Sequence, residues 1–314
     1  MRILHLLLLS ACTLHDPTDS DLLIAPTVDE DPSLAALDID GTRVHVEITG
    51  PVDAPVVIFL HGGPGGDYRY MLDLEAPELA VDHRLVFWDQ RGTGLSRRHA
   101  DVTMDQYLAD LEALVDRVSP DRPVILVGHS WGGAYAAWYT ARHPDRVRGV
   151  VMIDPQALTH ALYVEHGEPL DTDLLAEWLD DPLWAREILT PEDHVRADFL
   201  LASTEMFRIP RFGNSAIAPI FRPGAVVFEQ LSLSWFADHD YNFATGLATF
   251  PRPILILAGT ADQVLGFDFQ QKQLPLLGDA RVVALPGDGH NDTVTDPQTV
   301  VEIRHYLDTV EVLP

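Results

Sequence analysis

Short apolar runs, each about the length of one strand and separated by segments of helical periodicity, constrain the architecture of this chain before any motif is considered. They fall at residues 56–60, 85–88, 124–127 and 147–153, and again at 253–258 and 281–285. Strands as apolar as the first four runs are buried on both faces, the condition of a parallel sheet covered by helices. Between the second and third runs, Met104, Tyr107, Leu108, Leu111, Leu114, Val115 and Val118 share one helix face, and Thr103 with Gln106 forms a capping box at its start. A second crossover helix, rich in small residues, is expected over 131–142 and is stopped by Pro144. Alternating strands and helices predict an α/β fold with right-handed crossovers and helices on both sheet faces. Ahead of them, residues 37–49 read as a hairpin turning at Asp40-Gly41, so an antiparallel edge opens a mostly parallel central sheet.

The pattern is lost between residues 156 and 249, where Trp, Pro and acidic residues mix with short helical stretches near 173–179 and 197–207. This reads as an inserted helical cap. A terminal helix is expected from about 297 to 310. The expected organisation is a leader and tether over 1–35, a main α/β domain built from 36–155 and 250–314, and the cap over 156–249.

The single cysteine, Cys12, excludes an internal disulfide and ends an apolar N-terminal run in Leu9-Ser10-Ala11-Cys12. That sequence resembles the lipobox of bacterial lipoproteins, in which the leader is removed and the cysteine lipidated; residues 13–32, rich in Asp, Pro and Thr, would then form a flexible tether. The expectation is a lipid-anchored protein of the bacterial cell envelope. The alternative is a cytoplasmic protein with an apolar N-terminus, because the leader is shorter than the ~15–30 residues usual for secretory signals. The formal net charge of −27, from 48 acidic and 21 basic residues, repels nucleic acid and anionic membranes. The acids are spread along the whole chain, as expected of a strongly hydrated surface.

The third parallel run leads into Gly128-His129-Ser130-Trp131-Gly132, a G-x-S-x-G sequence with a strand before it and a helix after it. Its glycines permit a sharp turn that lifts the serine hydroxyl onto the end of the sheet, at a helix N-terminus that favours negative charge. Serine needs a base to remove its proton, and that base needs an orienting acid. His290 follows the last strand in the glycine-flanked loop Pro286-Gly287-Asp288-Gly289, and Asp262 follows the preceding one. Asp154, also at a strand end, is the alternative acid; Asp262 is preferred because it occupies the commoner place in the order Ser, Asp, His. The first core strand ends in His61-Gly62-Gly63-Pro64-Gly65, whose glycines let a backbone N–H approach a reacting carbonyl as half of an oxyanion hole; the N–H of Trp131 would be the other half. No Gly-Lys-Ser/Thr follows that loop, so a phosphate-cradling role is disfavoured.

The segments His61-Gly62-Gly63-Pro64-Gly65, Asp89-Gln90-Arg91-Gly92-Thr93-Gly94-Leu95-Ser96 and Gly128-His129-Ser130-Trp131-Gly132-Gly133 resemble the three signature segments of proline iminopeptidases, serine enzymes of the α/β-hydrolase fold. The resemblance implies removal of an N-terminal residue, often proline, from peptides or amides through an acyl-enzyme, without metal or cofactor. It implies Ser130, Asp262 and His290 as the triad and Gly63 with Trp131 as the oxyanion hole. It also implies cap carboxylates that bind the substrate's ammonium, with Glu205 as one counterpart and Glu229 as a weaker second. The cap departs from the family in lacking its tryptophan–glutamate dipeptide, for which Trp184 and Glu187 are only approximate stand-ins. Two alternatives stand beside the aminopeptidase: a carboxylesterase or lactonase using the same triad on a small ester, and a non-catalytic binding protein retaining the fold. Dehalogenases and epoxide hydrolases of this fold generally use an aspartate nucleophile, where this chain carries Ser130.

Overall fold

The computed structural model describes residues 24–74, 77–166, 194–203, 222–236, 239–263 and 265–312. Eight strands form one sheet: β1 (Ala36–Ile39), β2 (Thr42–Thr49), β3 (Val56–Leu60), β4 (Arg84–Trp88), β5 (Val124–His129), β6 (Val147–Ile153), β7 (Ile254–Gly259) and β8 (Ala280–Leu285), in the order β1-β2-β4-β3-β5-β6-β7-β8. β1 pairs with β2, and β2 with β4, antiparallel; every other pairing is parallel. The hairpin turns at Asp40-Gly41, where both residues take positive φ.

Alternate side chains of β3 enter two separate cores, as the two-residue period of a strand requires. Val56, Ile58 and Leu60 join the layer formed by α1 (Met104–Val118) and α2 (Trp131–Arg142), whereas Val57 and Phe59 join a second layer that includes Ile303, Tyr306, Leu307 and Val310 of the C-terminal helix Pro297–Glu311. The α1 capping box forms with both of its reciprocal hydrogen bonds. The chain returns from β4 over β3 to β5, so strand order reverses between β3 and β5. In open α/β sheets, ligand sites form beyond the carboxyl ends of the strands at such a switch point. The His61–Gly65 and Ser130 turns leave these two strands.

Between β6 and β7 the described elements are α3 (His160–His166), α4 (His194–Ser203), a short turn at Ala225–Val227 and a π-helical segment, Phe228–Trp235. The expected helix at 173–179 lies outside the described residues, as do Trp184, Glu187 and Glu205. The helix expected from residue 197 begins earlier, at His194. The π-helical segment, which the sequence does not announce, lies on the His61–Gly66 loop: a Cβ on Gly65 would come within 3.0 Å of Phe228 Cβ, and Ser232 Oγ donates to the Pro64 carbonyl at 3.3 Å.

One carboxylate of α4 gathers two arginines, of which Arg98 belongs to the main domain. Asp198 Oδ2 accepts from Arg98 Nε at 2.8 Å and from Arg222 Nε at 3.2 Å, and all three side chains are buried. Arg222 also donates to the Ala25 carbonyl and approaches Glu30. Val28 N–H donates to Leu95 O at 2.8 Å and Asp29 forms a two-pronged pair with Arg97, which fastens the segment from residue 24 to 31 across the Asp89–Ser96 loop. Among the described residues no helix is long and apolar enough to cross a membrane; Cys12 lies outside them.

Candidate active site

At the end of β5 the chain turns so sharply that Ser130 takes φ +55° and ψ −119°, a conformation that costs a non-glycine residue about 1–3 kcal/mol. The flanking glycines are what make the turn possible. A Cβ on Gly132 would stand 1.9 Å from the Leu60 carbonyl oxygen, and one on Gly128 would stand 2.1 Å from the Gly132 oxygen. Side chains at either position would push β3, β5 and α2 apart. The Ser130 amide donates to Ile153 O, and the Ser130 carbonyl accepts from Gly133, Ala134 and Gln156. The serine is therefore gripped by its own main chain while its side chain stays half-exposed at the start of α2.

His290 and Asp262 come from the loops after β8 and β7. His290 Nδ1 lies 2.9 Å from Asp262 Oδ2, both residues are buried, and Leu265 N–H donates to Asp262 Oδ1 at 3.0 Å. A carboxylate can only accept, so Nδ1 carries the hydrogen and Nε2 keeps the lone pair that a base needs.

Asp154 stands behind this pair. It is fully buried with φ +39°, and its oxygens accept from Gly259 N–H at 3.1 and 3.4 Å. Burial, and next the charge of Asp262, push its titration well above the ordinary carboxylate range, so Asp154 holds a proton far more readily than an ordinary carboxylic acid. Asp154, Asp262 and His290 bring ligand atoms within 4.8 Å of one another. His290 Nδ1 already engages Asp262, and the Asp154 oxygens engage Gly259, a donor set that suits proton holding better than a cation.

Of the two oxyanion candidates, Gly63 is exposed with φ +124°, and a Cβ there would meet Gly65 N at 2.5 Å. Trp131 opens α2, where the first amides have no partner inside the helix. Its indole is turned away and buried: Nε1 donates to Gln90 Oε1 at 3.0 Å and the ring stacks on Tyr135. Only its main chain is left to act.

The Asp89–Ser96 segment supports the oxyanion loop rather than facing the substrate. Asp89 accepts from Tyr68 N–H, Leu95 N–H and His45, while a Cβ on Gly94 would fall 1.9 Å from the Asp89 carboxyl carbon. Gln90 donates through Nε2 to His61 O and through its amide to His61 Nε2. Burial lowers the His61 pKa and keeps that ring a neutral strut. Glu229 sits part-buried on the π-helical segment beside Phe228.

Residues 55–297 match the α/β-hydrolase fold family. The chain belongs to that family. It is 27% identical over 287 residues to a bifunctional esterase/perhydrolase of Acinetobacter calcoaceticus, spanning 83% of this chain and 94% of that one. It is 33% identical over 118 residues to a proline iminopeptidase of Pestalotiopsis fici, spanning 37% of this chain and 42% of that one. Its structure is similar to that of an enol-lactonase from Burkholderia xenovorans LB400, with a TM-score of 0.65 and 18% identity over 89% of this chain and all of the other, a likeness of fold alone. Proline iminopeptidase-like members are therefore among several branches of the family that this chain approaches.

The residues that sequence reasoning overlooked are Tyr70 and the neighbour of the serine, His129. Tyr70 Oη lies 2.8 Å from His129 Nδ1, and His129 Nε2 lies 2.9 Å from the His290 carbonyl. The position of His129 inside the pentapeptide was the available signal; nothing in the sequence marks Tyr70 as its partner.

Proposed function

We propose that this protein is a serine hydrolase that passes an acyl group from a carboxylic ester or amide to Ser130 and then to water. The observation that carries the reading is the strained Ser130 turn, φ +55°, at a helix N-terminus in a fold that also pairs His290 with Asp262 at 2.9 Å. Ser130 Oγ attacks the carbonyl carbon as His290 Nε2 takes its proton, and the oxyanion is held by the N–H groups of Gly63 and Trp131. His290 returns that proton to the departing alcohol or amine. A water then gives a proton to His290 and attacks the acyl-serine, and as the acid departs His290 returns that proton to Ser130 Oγ, restoring the free serine.

For the substrate, one relative matched over nearly its whole length is a bifunctional esterase/perhydrolase, which supports a small carboxylic ester. The aminopeptidase reading, cleavage of an N-terminal proline-like residue, draws support from the three signature segments and from Glu229, one residue from the Phe228 that touches the oxyanion loop. Hydrolysis of p-nitrophenyl esters is to be compared with aminoacyl-naphthylamides, with Ser130→Ala as control and a fluorophosphonate probe reporting acylation. Labelling of the wild type and not of Ser130→Ala, with ester turnover exceeding Pro-naphthylamide turnover, is the expected result; full activity in Ser130→Ala removes the proposal.

A further inference from the structure

The two halves of the site are joined by a chain of three short hydrogen bonds that the acyl-transfer steps do not use. Gly62 N–H donates to Tyr70 Oη at 2.7 Å, Tyr70 Oη meets His129 Nδ1 at 2.8 Å, and His129 Nε2 meets the His290 carbonyl at 2.9 Å. The tautomers follow from the ends inward. A carbonyl can only accept, so His129 Nε2 carries the hydrogen. Burial, and next the neighbouring His290, hold His129 down to about 3, so at neutral pH its Nδ1 is a bare acceptor. Tyr70, kept protonated by burial, must then donate to Nδ1, and its oxygen lone pair takes the Gly62 N–H. Tyr70 and His129 each donate once and accept once along the chain, and reversing any link leaves a polar group unsatisfied.

The ends of this chain decide its meaning. Gly62 precedes Gly63, the exposed oxyanion candidate, and His290 is the candidate base. The His290 carbonyl is gripped a second time by Thr293 Oγ1 at 2.9 Å, which fixes the backbone of the base loop from its far side. The rings meet as closely as the hydrogen bonds require: Tyr70 and His129 edge to face at 5.4 Å between centroids, His129 and His290 at 4.7 Å. A brace so near the base has to be uncharged, because a cation there would oppose the imidazolium that forms on His290 as Ser130 attacks.

We infer that Tyr70 and His129 are positioning residues that lock the oxyanion loop at Gly62-Gly63 to the backbone of His290, so that oxyanion donor and base keep one spacing through the reaction. The inference rests on the serine-hydrolase reading. Neither side chain reacts: the single proton of Tyr70 is committed to His129, and His129 faces the His290 carbonyl rather than its ring nitrogens. Loss of the brace acts on the transition state, where a misplacement on the order of 1 Å costs up to about 100-fold in rate.

The test uses p-nitrophenyl butyrate and four variants of the full chain. Tyr70→Phe keeps the ring and removes both of its hydrogen bonds. His129→Gln keeps an N–H at the Nε2 position and gives up the acceptor at Nδ1; His129→Asn does the reverse. The expected result is a 10- to 100-fold fall in kcat for Tyr70→Phe with KM within about twofold, and the same split for each His129 variant. The double variant Tyr70→Phe/His129→Gln is expected to be no slower than the slower single one, because the links act as one unit. Ser130→Ala, measured beside them, is expected to be inactive. A Tyr70→Phe enzyme with kcat within twofold of wild type overturns the brace, as do losses that multiply in the double variant or that fall on KM instead of kcat. Activity retained in Ser130→Ala overturns the serine reading itself, whatever Tyr70→Phe does. A Tyr70→Phe protein that does not fold leaves the two His129 variants to decide, and normal kcat in both rejects the inference.

Discussion

Replacing Asp154 with asparagine separates the two buried carboxyls by their charge. The folded protein holds Asp154 neutral, through burial and the adjacent Asp262, whereas the unfolded chain ionises it at its ordinary value near 3.9. A carboxyl raised on folding contributes stability that is fully present below about pH 3.9 and is lost as pH rises through the folded-state value. Within that window each pH unit removes about 1.4 kcal/mol from the wild type and nothing from Asp154→Asn, whose amide can accept from Gly259 and donate toward Asp262 in place of the acid. For a chain of 314 residues about 1.4 kcal/mol corresponds to roughly 2 °C in Tm. Thermal melts of both proteins at pH 5 and pH 6 are therefore expected to show the difference, Asp154→Asn minus wild type, growing with pH by up to about 2 °C across that unit. Ester turnover is expected to stay within a few-fold of wild type, since the imidazole is oriented by Asp262. A Tm difference that is constant or shrinks between pH 5 and 6 refutes a neutral Asp154, and a loss of turnover as large as that of Asp262→Asn moves the orienting role to Asp154.

Three further outcomes are expected. Asp262→Asn lowers kcat by about 10⁴-fold, read on the same ester, because an amide facing Nδ1 favours the wrong imidazole tautomer; a loss under tenfold contradicts the pairing. If the substrate carries a free ammonium, Glu205→Gln or Glu229→Gln lowers kcat/KM for Pro-naphthylamide by about 2–4 kcal/mol while leaving a neutral ester unchanged; equal losses on both substrates assign those residues to the cap's structure. For the proposed anchor, Cys12→Ser is expected to release the protein from the membrane fraction of a bacterial host, and a mature chain beginning at unmodified Met1 rejects lipidation.

The strands were legible because parallel strands covered on both faces leave few polar residues to blur their limits: Val56–Leu60 and Val147–Ile153 lie where their apolar runs place them. The α1 start was legible from Thr103 and Gln106, because a capping box is a local interaction. The choice between Asp154 and Asp262 was a different kind of question. Both follow strands, and what separates them is which one reaches His290 across neighbouring loops, a distance that spacing along the chain does not encode. Tyr70 was invisible for the same reason: it lies 59 residues from His129, in a six-residue 3₁₀ helix, Arg69–Leu74, too short to show a period. The π-helical segment at Phe228–Trp235 escaped because its extra residue per turn breaks the period by which helices are recognised.

The junction at Asp198 has a consequence for engineering. Asp198 in α4 is ion-paired to Arg222, 24 residues further along the chain, at 3.2 Å. The two positions are thus clamped to one carboxylate, which Arg98 ties in turn to the main domain. A graft between them begins and ends at a fixed dock, and because the free energy of closing a loop grows only with the logarithm of its length, doubling the insert costs about 0.6 kcal/mol. Libraries that vary substrate preference can exchange sequence and length there while Arg98, Asp198 and Arg222 stay unaltered.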